Sequence, residues 1–183
     1  YKVSLETAAT YKETRDFCVE MKMLPLFINS LLADQKEKIK PICEVYKSSK
    51  TAFVIGRNVL EPIANEIALK IKEISYIHAE GYSGSELKHG PLALIDNEIL
   101  NICLLDRNCH PEKTESNIEE IRARGGRVVL ITNYEEDEVE NKIYDHIISV
   151  KTGENKYLTA ILFNIVGQLM SYYLALLNDR NVD

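Results

Sequence analysis

The 183-residue chain is 45% hydrophobic and 27% charged, with 28 acidic against 22 basic side chains and a formal net charge of −6. That length suits one domain burying roughly 70% of its unfolded surface. The acidic balance, with no dense basic cluster, argues against a nucleic-acid or membrane-surface binder but leaves small anionic ligands open.

Up to Lys50 the chain reads as helical, with breaks expected near Leu24-Pro25 and Lys40-Pro41. From Thr51 the pattern changes. "TAFVIGRN" is a short apolar run ending at a glycine turn and suits a buried strand. "EPIANEIALKIKEIS" follows as a helix, with Pro62 in a first turn that tolerates it. "YIHAEGY" and "EILNICLLD" read as the second and third strands. "PEKTESNIEEIRARGG" is a helix stopped by Gly125-Gly126. "RVVLITN" and "HIISVKTG" are two further strands, separated by the acidic stretch Glu135 to Glu140, which reads as solvated surface. Tyr157 to Leu177 is long enough to span a bilayer. It carries Thr159, Asn164, Gln168 and Ser171, however, and reads better as a helix buried on most of its circumference. Apolar strands alternating with helices imply parallel pairing, so the expected fold is a three-layer α/β/α sandwich with about five parallel strands. Ligands of such sheets bind beyond the carboxyl ends of the strands, here after Gly56, Tyr82, Asp106 and Asn133.

The four cysteines, Cys18, Cys43, Cys103 and Cys109, form no CxxC pair and no metal-like spacing with histidine, which suits thiols of a reducing compartment. No leader with a basic start and an apolar middle is visible, and the expected location is cytoplasmic.

Some residues carry chemistry. On a helical wheel from Pro62 to Ser75, Ile63, Ile67, Ile71 and Ile74 form the core stripe with Ala64 and Ala68. Glu66, Lys70 and Glu73 fall on a second line between Ile63 and Leu69. That line is either an ion-paired solvated edge or the wall of a cleft. In a cleft, Lys70 would favour the ionised form of Glu73 and desolvation would oppose it, leaving a base suited to taking a proton from a carbon next to a carbonyl. In "SGSELKHGP", Gly84, Gly90 and Pro91 bracket a turn where His89 is either an exposed loop side chain or a group that moves a proton on a sugar. His78 lies in a strand pattern and is expected in the core. His110 and His146 are given no role. "YSGSE" is a weak candidate phosphate turn. The dinucleotide and P-loop fingerprints, the GxSxG elbow and metal-ligand spacings are all missing.

The stretch "GRNVLEPIANEIALKIKEISYIHAEGYSGSELKHGPLALID" resembles the second sugar-isomerase (SIS) subdomain of the glutamine–fructose-6-phosphate aminotransferase, or glucosamine-6-phosphate synthase, family. "SNIEEIRARGG" matches the next crossover helix, and the resemblance runs from about Thr51 to Asp183. It implies the flavodoxin-like SIS fold over residues 51–183, with residues 1–50 a helical lead-in and remnant of a preceding subdomain. It also implies a part in making glucosamine 6-phosphate from fructose 6-phosphate, through proton transfer between sugar carbons 1 and 2. Glu73 matches the family's carboxylate base and Lys70 the lysine beside it. His89 matches the histidine linked to ring opening, which reaches into the neighbouring subunit and so implies a homodimer. No cofactor or metal is implied. The glutaminase domain and the S-x-S-G-[EQ]-T phosphate loop of the first SIS subdomain have no counterpart here. "ETAAT", Glu6 to Thr10, faintly resembles the end of that subdomain, with Lys12 one place late. The family's lysine-bearing tail has no counterpart after "NDRNVD". The expectation is a chain catalytically weak by itself. The alternatives are an SIS-type deglycase or amino-sugar-phosphate deaminase, which shares an E-x-x-H-G-P loop, and a non-catalytic SIS module that binds sugar phosphates.

Overall fold

The computed structural model describes residues 8–139 and 143–182. Glu6 and Thr7 of "ETAAT", Glu140 of the acidic run and Asp183 lie outside the described residues. Five strands, β1 (Thr51–Gly56), β2 (His78–Ser83), β3 (Leu100–Leu105), β4 (Arg127–Thr132) and β5 (His146–Ser149), form one sheet in the order β2-β1-β3-β4-β5. Every pairing is parallel, with Thr51 opposite His78 and Gly56 opposite Ser83. The three inner strands are buried on both faces, which explains their uninterrupted apolar runs.

Successive side chains point to opposite faces and divide the core in two. Ala52, Val54, Ile102 and Ile131 pack beneath α1 (Ala8–Tyr46), α2 (Glu61–Lys70) and α5 (Lys156–Leu177). Phe53, Ile55, Cys103 and Leu130 face the other way, against Ile118 and Ile121 of α4 (Pro111–Ala123) and the segment that carries the short α3 (Pro91–Leu94). The expected three-layer sandwich is therefore the one present.

The first segment departs from expectation. No break occurs at Pro25 or Pro41, and α1 runs through both as one 39-residue helix. Each interior proline costs about 3 kcal/mol. Against that, Leu31, Ile39, Ile42, Cys43 and Tyr46 are buried in the same cluster as α5, with Leu24, Phe27 and Ile28 partly so. A buried large aliphatic or aromatic side chain contributes about 1.5–3 kcal/mol, so packing outweighs the local penalty.

Helix α5 is the central helix of this layer. It opens with the Asn155 side chain accepting from the Tyr157 N–H at 3.0 Å, and its inner face carries Leu162, Phe163, Val166 and Met170. Gly167 marks its closest approach to α2, since an added Cβ would stand 2.3 Å from Ile67 Cγ1.

The cysteines are all free, with Cys43, Cys103 and Cys109 buried and Cys18 half-buried on α1. Burial pushes the Cys43 and Cys103 thiols up to about 12. Iodoacetamide at pH 8 is accordingly expected to modify Cys18 well before Cys43 or Cys103, because the thiolate is the reacting species. Peptide mass mapping reads the order, and native-state labelling of Cys103 as fast as Cys18 would contradict it.

Candidate functional site

Helix α2 begins beside the end of β1 and runs back along the sheet, burying Ala64, Ile67 and Ala68. The expected helix to Ser75 is present, but its last turn is not α-helical. Ile71–Ser75 form a π turn, closed by Tyr76 in the left-handed region at φ 62°. Such turns are rare and concentrate at functional sites. Ile71 and Ser75 are buried within it, while Glu73 points outward.

The line of charges read from the sequence is a real cluster. Lys70 Nζ lies 2.8 Å from Glu73 Oε2 and 3.6 Å from Glu66 Oε1. The three side chains are one-third to one-half exposed, so within this chain they form a charged helix edge and not a buried pocket. The hydrogen bond to Glu73 holds the Lys70 ammonium protonated and pushes its pKa above lysine's ordinary value, with desolvation working against it and the Glu73 and Glu66 charges adding to the rise. Chemically, the edge presents a carboxylate that can accept a proton and a cation fixed beside it.

His89 sits elsewhere. It ends a 3₁₀ turn, Leu87–His89, whose Leu87 is buried in the cluster on the α4 side of the sheet. The turn is tied down by Lys88 Nζ, 2.8 Å from Glu120 Oε1 of α4, and His89 is exposed. Lys70 and Glu73 are thus brought together, whereas His89 lies across the sheet from them. His78 is not the core residue expected. Its side chain is 62% exposed and its Nε2 lies 3.6 Å from Glu80 Oε1, because β2 is an edge strand and this position turns to solvent.

The sheet's topological switch, between β1 and β3, carries a third feature. Arg57 donates from Nε and Nη2 to Asn117 Oδ1 and from Nη2 to the Gly84 carbonyl, latching the loop after β2 onto α4. Gly84 leaves room for this latch, since an added Cβ would stand 2.5 Å from Asn117 Oδ1 and force the side chains to shift. A cleft of about 400 Å³ opens beside Arg57, with Ser83, Ser85, His110 and Lys113 on its wall. It is the ligand position expected of such a sheet. The sequence reading singled out the turn after β2 but missed this arginine, whose role depends on a partner 60 residues away.

Comparison with known proteins gives a consistent result. The description "SIS domain" fits residues 45–178. A glutamine–fructose-6-phosphate aminotransferase [isomerizing] of Methanosarcina mazei is 38% identical over 169 residues, covering 92% of this chain and 27% of the relative. The protein of the same name from Haemophilus influenzae is 40% identical over 172 residues, covering 94% and 28%. The chain therefore spans about a quarter of the length of the curated relatives it matches. Among solved structures, the C-terminal domain of glucosamine-fructose-6-phosphate aminotransferase from Francisella tularensis superposes with a TM-score of 0.85 at 33% identity, over 92% of this chain and 46% of that one.

Proposed function

The chain belongs to the SIS domain family, and from that premise we propose that it is the second SIS subdomain of an isomerising glutamine–fructose-6-phosphate aminotransferase. In this reading it helps convert fructose 6-phosphate to glucosamine 6-phosphate in the cytoplasm. The Lys70–Glu73 contact carries the reading: a carboxylate paired with a cation at 2.8 Å, left half-open to an incoming sugar. Glu73 takes the proton from one of sugar carbons 1 and 2 and returns it to the other. Lys70 stabilises the carboxylate between transfers and offers a second group for acid–base work. No metal or cofactor enters, because moving a proton next to a carbonyl needs acids and bases alone.

Two surfaces support a companion that completes the site. The outward face of α5 exposes Tyr157, Ile161, Tyr172 and Leu176, and Leu69 of α2 is exposed beside Lys70. On α1, Tyr11, Val19, Met23 and Leu26 are exposed on the side away from the core. Apolar stripes of this kind mark interaction surfaces. In the proposed division, residues 1–50 are the lead-in toward a preceding, phosphate-binding SIS subdomain and residues 51–183 are the SIS domain proper. His89, across the sheet from Glu73, serves the site of a second subunit in a homodimer.

The test is conversion of fructose 6-phosphate to glucose 6-phosphate by the chain alone and by the chain mixed with a separately produced first SIS subdomain. Turnover confined to the mixture is expected. Sugar-phosphate binding with no turnover in either would favour a binding module, and ammonia release from an amino sugar phosphate would favour a deaminase.

A further inference from the structure

We propose that Ser75 is the positioning residue of the Lys70–Glu73 pair, its hydroxyl holding the wide turn from which Glu73 projects. In an α-helix the Ser75 N–H would serve the Ile71 carbonyl, four residues back. The i→i+5 pattern of a π turn directs that N–H one residue further, to Lys70. By the same pattern the Tyr76 N–H falls to the Ile71 carbonyl, and the Ser75 hydroxyl adds a second donor to that carbonyl, at 2.6 Å. The same oxygen accepts from the Ile77 N–H at 3.4 Å, across the left-handed Tyr76. One buried hydroxyl thus ties the start of the turn to its exit into β2.

The surroundings reinforce this. Ser75 is only 3% exposed and Ile71 is fully buried, so the bond lies away from bulk solvent. Helix α5 packs against the turn. The Arg180 guanidinium lies 5.0 Å above the Tyr76 ring, covering the exit. Glu73 lies two residues before Ser75, inside the turn, so the register decides the direction in which its carboxylate leaves the helix. With the hydroxyl removed, the tie between the turn and its exit is lost and the 2.8 Å contact with Lys70 loosens.

The role of Ser75 in catalysis rests on the isomerase reading, but its effect on the pair can be read without turnover. The experiment follows the Lys70 side chain by NMR through its titration in the whole chain, in wild type, Glu73→Gln, Ser75→Ala and Ser75→Thr. Glu73→Gln defines the midpoint of an unpaired Lys70. Ser75→Ala is expected to lower the midpoint most of the way to that value, and Ser75→Thr, which keeps the hydroxyl, to recover it in part. In the two-subdomain mixture, kcat should fall in Ser75→Ala with KM nearly unchanged. If Ser75→Ala does not fold, Ser75→Cys, a weaker donor of similar size, is read by the same criterion. A folded variant that loses thermal stability while Lys70 keeps its wild-type midpoint would make Ser75 a packing residue and overturn the proposal. A midpoint that moves as expected in a mixture with no isomerase activity would uphold the positioning role and remove the isomerase reading instead.

Discussion

Glu73→Gln is expected to lower isomerisation of fructose 6-phosphate about 10²–10⁴-fold, the usual contribution of a positioned general base. The substitution keeps the size and planarity of the side chain and takes away its charge, and with it its capacity to receive a proton and its ion pair with Lys70. Glu73 is half exposed and does not hold the core together, so the fold should survive intact. The loss should appear in kcat and kcat/KM alike, with little change in KM, as for an interaction made in the transition state alone. Steady-state kinetics on the two-subdomain mixture provide the measurement. An unchanged kcat would remove Glu73 from the chemistry and leave its contact with Lys70 as an ordinary surface ion pair, of the kind contributing only tenths of a kcal/mol.

Phe163→Ala is the substitution expected to cost most stability, about 3–5 kcal/mol. The ring is fully buried at the middle of α5, in the cluster that joins α1, α2 and the sheet. The site has little freedom to collapse, because α5 and α2 already meet at Gly167, one turn further on. For a domain of this size each kcal/mol lowers Tm by about 2–4 °C, so the midpoint should fall by roughly 6–20 °C. Urea unfolding monitored by circular dichroism gives the free energy directly. A loss below about 1 kcal/mol would mean that α5 does not organise the core as its burial implies.

Much of this fold was legible in the sequence because strands covered on both faces need uninterrupted apolar runs, and helices between them need one apolar stripe. The readings that failed depended on distant contacts. Pro25 and Pro41 look like helix breaks until the packing of α1 on α5 is known. His78 looks interior until β2 is known to be an edge strand, since strand order leaves no mark on a local pattern. The π turn is equally silent, because Ile71 and Ile74 continue the α2 wheel as though nothing changed. Of the candidate site, the adjacency of Lys70 and Glu73 followed from their i,i+3 spacing on a helix. The face on which His89 lies did not, as it is set by where Leu87 finds a hydrophobic pocket.

The placement of Glu73 and His89 on opposite sides of one sheet has a genetic consequence. Ile71, in the turn that carries Glu73, packs in the core layer of α5, whereas Leu87, in the turn that carries His89, packs in the layer of α4 on the other face of the sheet. If each subunit lends its His89 to the other, a subunit spoiled at Glu73 and one spoiled at His89 share their defects unequally. Paired together, one of their two sites receives both damaged residues and the other receives none. Two inactive alleles, Glu73→Gln and His89→Asn, should therefore rescue one another when expressed in the same cell, whereas either allele alone stays silent.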